Sequence, residues 1–260
     1  MSAPFEIGYV FSFLPKLIDT LGVTLLIVAG SLLTGLAAGF LVALPRLYKI
    51  PVLRNLSGLY LSFFRGTPIL IQLFLFYYGL PELLKPLGLD LTRTPVLFFV
   101  ILVYGLHTGA YAAEMIRASV EAVDRGQVEA AYASGMTAYQ AFARIVLPQA
   151  LAIAVPVFSN LVIALLKDTS LAFTLGVMEM TGKAQTLGTL TQHFFETYIA
   201  LALIYLVISF TLEKGLSAAE RRLKRHEVRE EAPVRRFGRR GKGSYRAVLA
   251  EIDAGKGGQI

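Results

Sequence analysis

From Leu21 to Leu44 the chain carries no Asp, Glu, Lys or Arg over 24 positions, and a second such run, from Pro95 to Ala113, covers 19. As a helix at about 1.5 Å per residue, the first run is roughly 36 Å long, more than the roughly 30 Å hydrocarbon core of a bilayer. Backbone polar groups in lipid must be satisfied within the protein, so such runs fold as helices. A soluble bundle built from them would need several helices that are apolar all round. The hydrophobic share of 55% also exceeds that of an ordinary soluble domain. The chain therefore reads as an all-α integral membrane protein.

Five spans are expected: about Leu21–Leu44; Gly66–Leu84, preceded by a weaker stretch at Leu56–Phe64; Pro95–Ala113; Ala150–Leu166; and Thr197–Leu212. Arg46, Lys49, Arg54 and Arg65 follow the first span, and Arg117, Arg125 and Arg144 follow the third. Only Lys85 and Arg93 follow the second, offset by Glu82 and Asp90. By the excess of basic residues in cytoplasmic loops, the N-terminus lies outside and the C-terminus in the cytoplasm. An odd number of spans fits that orientation. The N-terminal residues show neither a basic n-region nor a small-residue cleavage site, so the first span is expected to direct its own insertion. Without cysteine the fold uses no disulfide and no thiolate metal site.

The formal charge of +7 is unevenly placed. Before residue 213 there are 12 Lys and Arg against 11 acidic residues; from Glu213 onward there are 13 against 7. Residues 1–216 read as the membrane domain and 217–260 as a basic cytoplasmic tail. The first turns near Arg221–Arg225 extend the last helix, and disorder is expected beyond about residue 233. The plain reading is a solvated tail that helps set topology. A sharper one is attraction to anionic lipid, at about 1 kcal/mol per basic residue near the surface. No aromatic platform or reading helix accompanies the charge, which argues against nucleic acid.

Between the third and fourth spans, within about residues 117–149, lies EAAYASGMTAYQAFARIVLP. It reads Glu129-Ala130-Ala131, three residues, Gly135, nine residues, Ile145, one residue, Leu147-Pro148. Its alanines favour two short, thin helices. Gly135 permits a turn between them, and Pro148 is expected to separate the unit from the fourth span. A plain amphipathic surface helix, with Glu129 as an N-terminal helix charge, is the competing reading.

This spacing resembles the cytoplasmic coupling loop of ABC-importer permeases. Three further stretches carry the resemblance from about residue 10 to 225: Phe64-Arg65-Gly66-Thr67-Pro68 followed by Gln72; Gly109-Ala110-Tyr111 followed by Ala113-Glu114; and Leu166-Lys167-Asp168-Thr169-Ser170-Leu171. They are similar to signatures of the polar amino-acid uptake branch, which takes up histidine, glutamine, arginine or cystine. Phe11–Leu17, Ala122–Thr137 and Phe158–Gly188 sit closest to L-cystine permeases of Gram-positive bacteria. The resemblance implies a binding-protein-dependent importer permease (MetI-like) fold in the bacterial plasma membrane. It also implies a second permease copy or a paralogous permease, an ATPase dimer that carries ATP and Mg, an extracellular or periplasmic amino-acid-binding protein, and an amino-acid substrate. The chain would bind no cofactor itself. Glu129, Ala130, Ala131, Gly135, Ile145, Leu147 and Pro148 would couple it to the ATPase.

The residues themselves agree on where energy comes from. Neither Gly182-Lys183-Ala184 nor Gly241-Lys242-Gly243 completes a phosphate-binding GxxxxGK[ST] loop, so hydrolysis must occur in another chain. His107, His193 and His226 are dispersed, and no catalytic or metal-binding constellation is found. The chain is expected to be a transporter subunit and not an enzyme. A secondary transporter driven by an ion gradient is the alternative, but internal repeats and paired intramembrane acids are not found.

The substrate path is expected to draw on Thr67, Gln72, His107, Asn160, Lys167, Asp168, Thr169 and Ser170. Lys167 and Asp168 lie about 25 Å along the fourth helix from Ala150. Charges there need partners or water. Either they line the path for a zwitterion, with Thr169 and Ser170 as hydroxyl donors, or they end the helix as an ion pair. An intramembrane His107 is a path candidate that one neighbouring helix can also satisfy. Gln72 and Asn160 can equally serve helix packing. Glu114 and Arg117, one turn apart, are expected to form an exposed pair.

Overall fold

The computed structural model describes residues 4–224 of the chain. The chain divides into two units, residues 1–222 and 223–260. Of the second, only the end of the last helix is described, so the expectation of disorder beyond residue 233 lies outside the described residues.

Among the described residues the secondary structure is entirely helical. In order the helices are α1 (Ile7–Ile18), α2 (Leu21–Leu47), α3 (Pro51–Gly66), α4 (Ile69–Leu87), α5 (Val96–Glu121), α6 (Arg125–Ala133), α7 (Ala138–Leu175), α8 (Met180–Thr191) and α9 (Phe194–Lys224). Helices α2, α5, α7 and α9 are each long and apolar enough to cross a bilayer, and α3 with α4 makes a fifth span bent by 111°. The expected second span, Gly66–Leu84, thus starts at the bend rather than at a span's end. The other spans outlast their uncharged runs because helix continues through charged residues that find partners, such as Arg46, Glu114, Arg117 and Glu121.

Two short helices have no counterpart in the expected spans. Helix α1 buries Val10, Phe13 and Leu17 against Met180, Ala184 and Leu187 of α8 and Leu201 and Ile204 of α9. It is pinned at its start, where Glu196 accepts the Glu6 backbone N–H at 2.8 Å and meets His193 Nδ1 at 3.0 Å. Tyr9 stacks on the His193 ring, centroids 3.9 Å apart. Helix α8 is capped by the buried carboxylate of Glu179, which accepts from the Thr181 and Gly182 N–H groups at 2.9 Å each.

Between apolar spans in lipid there is no hydrophobic drive, so close packing of small residues carries association. Helices α2 and α5 meet in this way. A Cβ on Gly39 would lie 2.7 Å from Ala112 Cβ and 3.0 Å from the Gly109 carbonyl oxygen, so the two backbones are in contact. A core of Ile27 and Val28, Leu73, Val100, Val103 and Tyr104, and Leu165 and Leu166 joins this pair to α4 and α7.

Pro148 does not separate the Glu129–Pro148 segment from the fourth span, as the sequence suggests it should. Helix α7 runs straight through it. Residues Phe142–Val146 are π-helical, and the Leu147 N–H bonds the Phe142 carbonyl five residues back. The wider turn gives the proline ring room and lowers the demand for its missing N–H. The Gln149 side chain donates to the Ile145 carbonyl at 2.9 Å in the same turn.

Candidate functional site

The bend between α3 and α4 is built by the FRGTP stretch and Gln72. Thr67 leaves the helix with φ −118° and ψ 145°, and Pro68 follows at φ −63° and ψ 137°. Both residues are extended, and the break strands the last carbonyls of α3. Gln72, with 0% of its surface exposed, reaches back from the next helix and closes them. Its Nε2 donates to the Phe64 and Thr67 carbonyls at 2.9 Å each, and to Thr67 Oγ1 at 2.8 Å. Its Oε1 faces His107 Nδ1 at 3.0 Å. An amide oxygen only accepts, so His107 carries its proton on Nδ1 and presents an unprotonated Nε2. Gln72 and Thr67 are therefore structural members of the bend and do not line a cavity, while His107 both braces the bend and lines one.

That cavity, about 720 Å³, lies between α5 and α7 and is closed on one side by the end of α3. Its wall is mostly apolar, with convergent polar groups: Arg65, His107, Thr108, Glu114, Asn160 and Asp168. The Arg65 guanidinium sits over the Tyr111 ring, 5.5 Å from the centroid. Among the described residues neither Arg65 nor Asp168 has an ion-pair partner. The Asp168 backbone carbonyl is held by the Tyr104 hydroxyl at 2.6 Å, which fixes where this side chain starts. A half-buried cation and a half-buried anion thus face one space.

The adjacent members of the LKDTSL stretch go elsewhere. Lys167 and Ser170 line a second, smaller cavity of about 340 Å³ with Thr181, Tyr198 and Tyr205. Thr169 is fully buried, and its hydroxyl donates back to the Leu166 carbonyl at 2.7 Å. Lys167 and Asp168 do not pair with each other, since successive helical residues point about 100° apart.

The segment after α5 has the form its sequence suggests: two short helices and a turn. Asp124 caps α6 by accepting from the Gly126 and Gln127 N–H groups at 2.6 and 3.3 Å. The helix ends at Gly135, whose φ of +82° lies in the left-handed region that favours glycine. Thr137 then opens α7 with a capping box completed by Gln140. Glu129, Ala130, Gly135, Leu147 and Pro148 are exposed, Ile145 is half-buried and Ala131 is buried. Tyr132, Tyr139 and Phe142 stand out beside them, with Tyr139 79% exposed. Aromatic groups on a small-residue helical surface suit a protein contact.

The Glu114–Arg117 pair forms, but it is partly buried and belongs to a larger network with Arg46 and Glu121. Sequence reasoning missed Arg46, Arg65 and Tyr104 as members of these sites. Arg65 was visible as the charged residue of FRGTP. Arg46 and Glu114, 68 residues apart, share no sequence signal that would join them.

The model of the binding-protein-dependent transport system inner membrane component family matches residues 35–225. The chain belongs to that family. It is 46% identical over 229 residues to the L-cystine transport system permease protein TcyL of Bacillus subtilis (strain 168), covering 88% of this chain and 96% of that one. It is 42% identical over 226 residues to the probable amino-acid ABC transporter permease protein PatM of Vibrio harveyi, covering 86% and 99%. Among solved structures it is similar to an amino acid ABC transporter with histidines, at a TM-score of 0.76 and 32% identity over 85% of this chain and 100% of that one. The MetNI methionine ABC transporter shares the fold, at a TM-score of 0.60 and 18% identity. The chain is thus a multi-pass inner-membrane permease subunit of an amino-acid ABC importer.

Proposed function

We propose that this permease takes up L-cystine, or a closely similar polar amino acid, with ATP and Mg bound and hydrolysed by a separate ATPase dimer. The observation that carries the substrate is the 46% identity to a cystine permease across nearly the whole of both chains. The cavity chemistry agrees. Arg65 offers a cation for a carboxylate, Asp168 an anion for an ammonium group, and Asn160 and the His107 Nε2 offer hydrogen bonds. Opposite charges without partners of their own, in a mostly apolar wall, suit a zwitterion.

The reading extends to the machinery. Glu129, Ala130, Ala131, Gly135, Ile145, Leu147 and Pro148 form the surface that docks on the ATPase, with Tyr132 and Tyr139 beside them. The N-terminus lies outside and the C-terminus in the cytoplasm, which puts that surface on the side where ATP is. A binding protein delivers the amino acid to the outer end. A second copy of the chain, or a paralogous permease, completes the path on the exposed Asn160 and Asp168 face of α7. Closure of the ATPase subunits on ATP moves the two-helix segments and alternates access to the cavity. Lys167 and Ser170 belong to the outer end of the same path in this reading.

The test is uptake of labelled cystine, arginine, glutamine and histidine by cells expressing the chain with its genomic ATPase and binding-protein neighbours. Cystine uptake, with the others poor competitors, is expected. Uptake confined to another polar amino acid would keep the importer and replace the substrate.

A further inference from the structure

Glu114 faces the large cavity, and both of its oxygens are engaged. Oε2 accepts from Arg46 Nη1 of α2 at 2.5 Å, and Oε1 accepts from Arg117 one turn along α5. Arg117 gives its other terminal nitrogen to Glu121, the last residue of α5. Glu121 in turn lines a groove whose far wall carries Glu129, Tyr132 and Phe142 of the two-helix segment. Three residues beyond Glu121, Asp124 caps α6. Four charges, two of each sign, therefore run without a gap from the cavity wall to the base of the exposed segment.

The position of Arg46 gives this chain of ions a mechanical sense. The small-residue seam between α2 and α5 runs past Gly39 and reaches Ala43, which is fully buried. Arg46 lies about one turn further on, so the end of the helix pair nearest the segment is held by ions in place of packing. The side chains of Arg46 and Glu114 are only 21% and 26% exposed, so each needs the other more than a surface pair would.

We propose that Arg46–Glu114–Arg117–Glu121 is a positioning relay that makes movement of the segment 125–148 move the cavity wall, with Arg46 binding α2 into the same motion. The inference rests on the importer reading above. It is tested in the assembled importer, reconstituted in proteoliposomes with its ATPase and binding protein, by measuring cystine uptake and ATP hydrolysis in the same sample. Arg46→Met removes the charge at similar length, and Arg46→Lys retains it. Glu121→Gln breaks the relay at an exposed position where folding is not at stake. Amino acid moved per ATP is expected to fall about five-fold or more in Arg46→Met and Glu121→Gln, the lower range of ordinary coupling between sites. Hydrolysis stays near the wild-type rate and Arg46→Lys restores uptake. Unchanged uptake per ATP in both charge-removing variants, or hydrolysis and uptake falling in parallel, would overturn the relay. Uptake by the wild-type chain without ATPase would overturn the importer reading itself, an outcome visible before any variant is made.

Discussion

Gln72 and His107 meet across the bent span, Oε1 to Nδ1 at 3.0 Å, although 35 residues separate them in the chain. One buried amide closes the carbonyls of a broken helix and, through its other end, sets the tautomer of an imidazole in the cavity wall. The 111° bend and the cavity thus share a residue.

Gln72→Leu should therefore damage both. The Phe64 and Thr67 carbonyls and the His107 N–H would lose their partner in a buried site, at about 1–3 kcal/mol for each group left unsatisfied. A lower melting temperature in detergent, with reduced uptake by the protein that remains folded, is expected. A melting temperature equal to wild type would show that the bend does not depend on this amide.

Gly39→Leu should prevent α2 and α5 from meeting, because even a Cβ there lies within contact distance of Ala112 and the Gly109 carbonyl. Gly39→Ala is the graded version, expected to cost about 1–3 kcal/mol through overpacking. Monodispersity and melting of the purified chain measure both. An alanine variant as stable as wild type would mean that the seam is looser than it stands here.

Gly135→Pro tests the turn. Proline fixes φ near −65°, and the position holds +82°. Insertion of the spans is expected to survive while ATP-driven uptake is lost. Gly135→Ala, at about 1–2 kcal/mol of left-handed strain, should fall between. Normal uptake by the proline variant would remove the turn from the coupling mechanism.

Glu179 gives a pH dependence. Burial raises its carboxyl above the ordinary range, against hydrogen bonds from Thr181, Gly182 and Tyr205 that pull it down. The folded state therefore holds the proton more tightly than the unfolded chain does. The associated stability is complete at acid pH and is lost as pH rises through the raised value. Glu179→Gln keeps an acceptor for the helix cap and removes the titration, so its melting temperature should fall less than that of wild type from acid to neutral pH. Identical slopes would show that Glu179 does not titrate with folding.

The long helices were legible because uncharged length is a local property, and lipid leaves a backbone few alternatives. The Gly135 turn was legible for the same kind of reason: one residue type suits one φ. Helix α1 was hidden because its 12 residues are too few to span a membrane, and its burial depends on α8 and α9 far along the chain. Pro148 misled because a proline rule written for α-helix takes no account of the π turn just before it. The cavity takes its polar groups from α3, α5 and α7, so no single stretch announces it. Sequence motifs named Lys167, Asp168, Thr169 and Ser170 together, whereas helical geometry sends them to two different cavities and the core.

The central claim is that this permease moves an amino acid only when a partner ATPase turns over. The most direct measurement is uptake of labelled L-cystine by proteoliposomes containing this chain and its binding protein, with wild-type ATPase, with a hydrolysis-dead ATPase, and with none. Uptake that requires the active ATPase and is unaffected by collapsing ion gradients is the predicted result. Gradient-driven uptake by the chain without the ATPase would contradict it.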